Sequence, residues 1–346
     1  MTSTDDVLVR RDGRAGRITL NRPRAINALT HAMVRRVDAA LTAWEHDDAV
    51  TTVVIDGAGD RGLCAGGDIR AIHDDARLGG AASRDFWRDE YRLNARIAGY
   101  PKPYVALMDG LVMGGGVGIS AHGGVRVVTE RSAIAMPETA IGFVPDVGGT
   151  YLLSRAPGEL GTHLALTTAR LGAGDAVRSG FADHFVPADR LPEFAHALAG
   201  TDADEAVRAF AAPAPDGELA AQRAWIDRCY AAGTVEEILA RLTDAGLPEA
   251  KEAAEAITAK SPTALKVTLA AVRRARGLRS LGEVLDQEYR VSCAALSGAD
   301  LVEGIRAQVV DKDRRPRWSP ATLEEVSEAD VARHFVPLGD QELGLA

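Results

Sequence analysis

Short apolar runs alternate with helix-like patterns through the first half of the chain. Two of these runs flank Asp12-Gly13, a pair typical of a hairpin turn. Thr30 precedes apolar residues at helical spacing, and a threonine in that place favours a capped helix start. The other runs, rich in Val, Ile and Ala and bounded by glycine or charged residues, are 52–55, 104–108, 125–128 and 133–136. This alternation predicts an α/β fold with crossover connections.

The strand-like runs stop near residue 190. From there the chain is rich in Ala, Glu, Asp and Arg, and it indicates helices with a loop at 211–217. Ser261 before Pro262 predicts a further capped helix, and the small residues of 110–121 fit a helix preceded by a tight turn. We therefore expect an α/β core over residues 1–190 and a helical region over 191–346.

Composition and charge narrow the class of function. The formal net charge of −9 argues against general nucleic-acid binding, and the absence of a long apolar run argues against a membrane span. The acidic start of the chain does not resemble a leader peptide, so we expect a cytoplasmic protein. Three widely spaced cysteines and the lack of paired histidines predict neither a disulfide framework nor a metal site.

Two carboxylates stand in an otherwise apolar, glycine-rich segment from Pro137 to Gly149. They are Glu138 and Asp146, among isoleucine, phenylalanine and valine residues. A carboxylate in apolar surroundings is costly unless it is paired, hydrogen-bonded or protonated, and such groups cluster at functional sites. The alternative is that each acid sits in the first turn of a helix, after Pro137 and Pro145. On this segment alone both interpretations stand.

Glycines follow the ends of the predicted strands in three segments: 62–69, 110–118 and 137–149. Loops at the carboxyl ends of strands are where α/β proteins bind ligands, and two backbone N–H groups from separate loops can form an oxyanion hole. The glycines of 114–118 do not have the spacing of a dinucleotide-binding turn, and no Gly-Lys-Ser/Thr phosphate loop occurs. Two alternatives remain, namely glycines that only allow close packing and Cys64 as a nucleophile.

These segments, in this order, resemble the crotonase superfamily, also called the enoyl-CoA hydratase/isomerase family. The resemblance covers roughly residues 17–190 and 261–318. Its marks are Asn21-Arg22-Pro23, Asn27-Ala28-Leu29, Cys64 to Ile69, Gly114-Gly115-Gly116 and Pro137-Glu138.

The resemblance implies a spiral of ββα units with helices packed outside, and a bound coenzyme A thioester as substrate. It assigns the oxyanion hole to the N–H groups of Gly67 and Gly115 and places Asp68 and Ile69 near the adenine. No separate cofactor is implied, because coenzyme A is part of the substrate. The family often forms trimers, so a homo-oligomer is one expectation.

One departure from the family pattern distinguishes its branches. Hydratases carry a second catalytic glutamate two residues after the glycine triplet, and Gly118 occupies that position here. The chain is more similar to a branch that hydrolyses short branched 3-hydroxyacyl-CoA thioesters, as in valine breakdown. In that branch the equivalents of Glu138 and Asp146 carry catalysis, and those of Glu90 and Gly115 contact substrate.

From that resemblance we expect Glu138 to act as base or nucleophile and Asp146 to act as acid and to position the substrate. The alternatives are an enoyl-CoA hydratase or isomerase that uses Glu138 alone, and an acyl-CoA-binding protein without catalysis.

Overall fold

The computed structural model describes residues 5–346 and contains one large sheet. Six strands form it in the order β1-β2-β3-β4-β6-β8, and β5 pairs with β7 in a separate two-stranded sheet. The β1/β2 pair is antiparallel and every other pair in the large sheet is parallel. The strands are β1 (Val7–Asp12), β2 (Ala15–Leu20), β3 (Thr52–Gly57), β4 (Tyr104–Met108), β5 (Leu111–Met113), β6 (Val125–Val128), β7 (Ala133–Ala135) and β8 (His184–Phe185).

Helices connect these strands and make up the rest of the chain. In the first half they are α1 (His31–Glu45), α2 (Ile69–Ala76), α3 (Ala81–Ala98), α4 (Gly115–Gly118), α5 (Gly149–Arg155), α6 (Leu160–Thr167) and α7 (Ala173–Arg178). The later ones are α8 (Leu191–Ala197), α9 (Ala203–Phe210), α10 (Leu219–Tyr230), α11 (Val235–Asp244), α12 (Pro248–Thr258), α13 (Pro262–Ala275), α14 (Leu281–Ala295), α15 (Asp300–Ile305) and α16 (Glu328–Arg333). Short 3-10 turns lie at Pro23–Ala25, Glu138–Ile141 and Gly339–Gln341, and a π-helical turn lies at Arg306–Val310.

Local sequence signals explain where several elements begin. Gly13 has a φ of +57° between β1 and β2, as the hairpin requires. The side chain of Thr30 accepts a hydrogen bond from the N–H of Met33 at 3.3 Å and caps α1. Ser261 likewise accepts from the N–H of Ala264 at 3.0 Å and caps α13. The hairpin and both capped helices are therefore confirmed.

The chain divides into two compact units that interleave along the sequence. The first consists of residues 1–67, 92–134 and 171–217, and the second of residues 68–91, 135–170 and 218–346. The division at residue 190 that composition suggests is of a different kind, and it stays a prediction.

The first unit contains the large sheet and the helices that cover it. Valines of β3, β4 and β6 pack against Phe194 of α8 and Val207 of α9 in one buried cluster. Helix α1 packs on β1 and β2 with its apolar side buried. Burial of such apolar surface is the main favourable contribution to folding.

The second unit is built almost entirely of helices. Its centre is formed by α5, α6, α13 and α14, with α10 and α12 against α6. The 3-10 turn Glu138–Ile141 contacts α13 and α15. This places the Pro137–Gly149 segment within a helical framework.

One expectation about local structure was wrong, and the helix-start alternative holds for only one of the two acids. Residues 110–121 do not form one helix, because Leu111–Met113 is a strand and α4 covers only Gly115–Gly118. Asp146 does not lie in a helical first turn, since α5 begins at Gly149 after Gly148 as N-cap. Glu138, by contrast, does begin a short 3-10 helix after Pro137.

Candidate active site

The Pro137–Gly149 segment presents its two acids from different backbone settings. Glu138 opens the 3-10 turn, whereas Asp146 lies in a stretch without regular secondary structure, just before a tight turn. In that turn Val147 has a φ of +54°, a strained value for a β-branched residue, and Gly148 has a φ of +79°. The N–H of Gly149 donates to the carbonyl oxygen of Asp146 at 2.6 Å and closes the turn. The backbone next to Asp146 is therefore held in a conformation that costs free energy.

Four carboxyl groups of the second unit are buried together without a cationic partner. Glu90 of α3, Glu138, Asp146 and Glu288 of α14 are each no more than 6% exposed. None of them forms an ion pair with Lys, Arg or His within residues 5–346. Carboxylates buried without such partners can share the site only if some of them stay protonated.

Asp146 accepts a side-chain hydrogen bond that favours its charged form. The hydroxyl of Tyr91 donates to its Oδ2 at 2.6 Å, and the Oγ of Ser292 lies 2.7 Å from the same hydroxyl. Burial raises the pKa of Asp146 to about 7, although the hydrogen bond from Tyr91 lowers it. Asp146 therefore titrates near neutrality.

Glu138 and Glu90 lack comparable donors. In the described part of the chain, Glu138 Oε2 and Glu90 Oε1 have no hydrogen-bond partner. Burial, and then repulsion by Asp146, raises the pKa of Glu138, and the same two causes raise the pKa of Glu90. Burial and the neighbouring acid thus favour the neutral forms of Glu138 and Glu90. The roles expected from the sequence, Glu138 as base or nucleophile and Asp146 as acid, stay predictions.

Glu288 binds the backbone just after Asp146. Its Oε2 accepts from the N–H of Gly148 at 2.6 Å, and its Oε1 accepts from the N–H of Thr150 at 2.9 Å. The hydroxyl of Thr150 donates to the same Oε1 at 2.6 Å. Burial raises the pKa of Glu288 to about 8 in spite of these donors. Sequence reasoning gave Glu288 no role, although a charged residue between the buried Val284 and Val291 of one helix was a signal.

An aromatic contact fixes the middle of the segment. Phe143 stacks on Trp87 of α3, with ring centroids 5.3 Å apart and planes 10° apart. Trp87 precedes Glu90 and Tyr91 by one turn of the same helix. The same helix thus anchors the segment between Glu138 and Asp146 and supplies a donor to Asp146.

The first unit brings together the two glycine loops expected to form the oxyanion hole. The N–H of Met113 donates to the carbonyl of Cys64 at 2.9 Å, and a Cβ on Gly66 would lie 3.7 Å from the nitrogen of Gly115. Gly66 has a φ of +107° and Gly114 a φ of +48° with a ψ of −118°, so both loops need glycine. Gly115 is the first residue of α4, where an N–H has no partner within its own helix.

The remaining sequence-predicted positions are placed as follows. Asp68 is the N-cap of α2 and Ile69 its first residue, and both are half-buried. Gly118 ends α4 and is buried, so no side chain occupies the position of a hydratase's second glutamate. Cys64 is buried, with its Sγ 3.3 Å from the carbonyl oxygen of Asn27, as expected of a packed thiol rather than a nucleophile.

The raised carboxyl pKa values predict that the protein becomes less stable as the pH rises. Asp146 and Glu288 have ordinary pKa values of 3.8 and 4.5, which rise to about 7 and about 8 on folding. The folded chain therefore binds more protons than the unfolded chain between these values, and the free energy of unfolding falls with increasing pH. Each such carboxyl contributes up to roughly 1.4 kcal/mol per pH unit in this window.

Urea unfolding measured from about pH 5 to about pH 8 tests this expectation. Asp146→Asn should flatten the decline, because an amide does not ionise on folding or unfolding. A free energy of unfolding that rises over this range would show that the carboxyls are not buried as the structure has them.

The described residues form neither a membrane-spanning helix nor a metal-binding cluster. None of the helices in residues 5–346 has the length and apolar character needed to cross a membrane. In the same part of the chain, no group of three or more His, Cys, Asp or Glu side chains could hold a metal ion.

The sequence matches the enoyl-CoA hydratase/isomerase family model over residues 15–335. The chain belongs to this family, and the resemblance to the crotonase superfamily is confirmed. It is 43% identical over 354 residues to the mitochondrial 3-hydroxyisobutyryl-CoA hydrolase of Gallus gallus, covering 99% of this chain and 92% of that protein. It is 42% identical to the Homo sapiens protein of the same name, covering 99% of this chain and 91% of that protein.

Solved structures confirm the α/β, crotonase-like fold with its helical C-terminal region. A carnitinyl-CoA dehydratase from Mycobacterium thermoresistibile superposes with a TM-score of 0.96 at 57% identity, covering 99% of both chains. An enoyl-CoA hydratase from Rhodobacter sphaeroides 2.4.1 superposes with a TM-score of 0.92 at 50% identity, covering 98% of this chain and 99% of that chain. The relatives thus share an acyl-CoA substrate by name and differ in the reaction named.

Proposed function

We propose that this enzyme hydrolyses the thioester of a short branched 3-hydroxyacyl-CoA, with 3-hydroxyisobutyryl-CoA as the preferred substrate. The observation that carries the proposal is the pair of buried acids Glu138 and Asp146, which have raised pKa values and no cationic partner. The 43% identity to 3-hydroxyisobutyryl-CoA hydrolases over nearly the whole chain supports the choice of substrate.

Thioester hydrolysis needs both protonation states that this pair provides. Water adds to the carbonyl carbon and loses a proton to the ionised carboxylate, and the carbon–sulfur bond then breaks. The protonated carboxyl supplies the proton that the departing thiolate takes up, giving a free acid and coenzyme A. General acid and base groups work best when their pKa values lie near the working pH, as that of Asp146 does at about 7.

The N–H groups of Gly67 and Gly115 would stabilise the negative charge that the carbonyl oxygen gains during water attack. The backbone hydrogen bond between Met113 and Cys64, which links the two loops within the first unit, supports this assignment. Preorganised donors of this kind contribute about 3 kcal/mol each to lowering the barrier. Displacing either N–H group should slow the chemical step rather than weaken binding of the substrate.

A second candidate is hydration or dehydration of an acyl-CoA. It is favoured by the dehydratase and hydratase named for the two solved structures at 57% and 50% identity. Against it stands Gly118, which leaves Glu138 without the second glutamate that hydratases place after the glycine triplet. Addition of water across a double bond benefits from two flanking acid/base groups.

An assay over a panel of thioesters distinguishes the two functions. We expect rapid release of free thiol from 3-hydroxyisobutyryl-CoA, and slower release from isobutyryl-CoA, which lacks the hydroxyl. A site that binds a hydroxyl discriminates strongly against an analogue without it. Loss or gain of the conjugated enoyl absorbance, followed with crotonyl-CoA and carnitinyl-CoA, measures the alternative in the same samples.

Brisk hydration of crotonyl-CoA or dehydration of carnitinyl-CoA without thiol release would show that the proposed hydrolysis is wrong. Equal thiol release from 3-hydroxyisobutyryl-CoA and isobutyryl-CoA would support thioester hydrolysis but contradict the proposed preference for a substrate with a hydroxyl group.

Cellular location and assembly stay predictions. The named hydrolases are described as mitochondrial, and the cytoplasmic location of this chain is a proposal that nothing here supports further. We likewise propose a homo-oligomer on the family resemblance alone.

A further inference from the structure

In the second unit, Ser292, Tyr91 and Asp146 form a row of hydrogen-bonded side chains. The hydroxyl of Tyr91 donates to Asp146 Oδ2 at 2.6 Å, and Ser292 Oγ lies 2.7 Å from the same hydroxyl. A phenol has a single proton, so donation to Asp146 leaves its oxygen free to accept from Ser292. When Ser292 donates to Tyr91 and Tyr91 donates to Asp146, each hydroxyl proton in the row has an acceptor.

The row is rigid because its members are fully buried. Tyr91 and Ser292 have no exposed surface, and the ring of Tyr91 packs edge-on against Tyr289 at a centroid distance of 6.1 Å. Tyr91 therefore has little freedom to turn its hydroxyl away from Asp146.

The same helix fixes the backbone on the other side of Asp146. Ser292 and Glu288 are four residues apart on α14 and so lie on one face of it. Glu288 accepts from the N–H groups of Gly148 and Thr150, which follow the strained Val147. One helix thus supports both the side chain of Asp146, through Tyr91, and the turn that carries it.

Within residues 5–346, no Lys, Arg or His side chain forms an ion pair with Asp146. The titratable groups that face Asp146 are Glu90 and Tyr91 of α3, Glu138 of the 3-10 turn and Glu288 of α14. The three other carboxyls oppose a charge on Asp146. Among the described residues, Tyr91 is the only side chain that donates a hydrogen bond to Asp146.

We propose that Tyr91, supported by Ser292, is a positioning residue that keeps Asp146 ionised and aims its carboxylate in the reaction. The proposal deepens the proposed function and rests on it, because Asp146 must take part in the chemistry. Tyr91 acts through Asp146 and does not itself exchange a proton with the substrate.

The first test is the pH dependence of thiol release by Tyr91→Phe. The hydrogen bond from Tyr91 stabilises the charged form of Asp146, so its loss should move the acidic limb of kcat/KM upward by about one pH unit. We expect activity about tenfold below wild type near pH 6 and close recovery near pH 9. Ser292→Ala should shift the limb in the same direction by less, because it removes only the support of Tyr91.

Tyr104→Phe is the matched control. Tyr104 is a buried tyrosine of the first unit, and its hydroxyl donates to the carbonyl oxygen of Ile119 at 2.9 Å. Its removal should lower stability without moving the pH profile. The inference is wrong if Tyr91→Phe and Ser292→Ala leave the acidic limb where the wild type and Tyr104→Phe have it.

Urea unfolding provides a readout that does not depend on the reaction. The stability difference between wild type and Tyr91→Phe should grow as the pH rises through about 7, since the lost hydrogen bond stabilises the ionised form. Tyr104→Phe should show a constant difference. Absence of thiol release by the wild type would overturn the proposed function alone, whereas a constant difference for Tyr91→Phe would overturn this inference.

Discussion

Glu138→Gln is expected to lower kcat for thiol release by at least ~100-fold, with KM changed little. The amide keeps the size of the side chain but can neither hold nor release the proton that thioester cleavage requires, and one general acid/base group contributes ~100-fold or more. Because Glu138 is buried with a raised pKa, the neutral amide should also stabilise the folded chain. The measurements are steady-state kinetics with 3-hydroxyisobutyryl-CoA and thermal unfolding at the same pH.

Glu159→Gln serves as the control for this substitution. Glu159 is a glutamate of the same unit that pairs with Arg276 at 2.7 Å. Its amide variant should lose some stability and keep the wild-type kcat. A catalytic role for Glu138 would be refuted if Glu138→Gln retained more than about a tenth of wild-type kcat.

The strands were predictable from the sequence where continuous runs of apolar side chains mark them. The runs at Tyr104–Met108 and Val125–Val128 form strands with the expected bounds, because buried parallel strands are continuously apolar. The segment 110–121 was not predictable in this way. Its glycines have no side chains to show a period, and the break between β5 and α4 depends on contacts with the Cys64 loop.

Only those residues of the candidate site that lie close together in the sequence were predictable. Glu138 and Asp146 stand out in one segment because charge is unusual among apolar neighbours. Glu288, however, lies 140 residues from Gly148, which it binds. Nor does Tyr91 reveal in the sequence that its hydroxyl faces Asp146. Folding creates these pairings between residues that are far apart in the sequence.

Asp146→Asn is expected to lower kcat by at least ~100-fold over the whole working pH range. Asp146 is the carboxyl that the hydroxyl of Tyr91 stabilises as an anion, so the amide removes the charge that the ligand-free site holds. The acidic limb of the pH profile, which reports ionisation of the Glu138–Asp146 pair, should disappear or move. Stopped-flow and steady-state thiol release over about pH 5 to 9 measure both effects.

Asp286→Asn is the matched control for Asp146→Asn. Asp286 is as buried as Asp146 and accepts from the N–H groups of Leu345 and Ala346 at 2.9 and 3.0 Å. Its variant should cost stability and leave the pH profile in place.

The double variant of Glu138 and Asp146 tests whether the two acids act as a unit. Groups that pass one proton between them lose most of their effect when either is removed, so combined substitution should cost little more than the worse single one. Losses that multiply would show that Glu138 and Asp146 act in independent steps. An unchanged kcat in Asp146→Asn would leave Glu138 as the sole acid/base group, as a hydratase or isomerase that uses Glu138 alone requires.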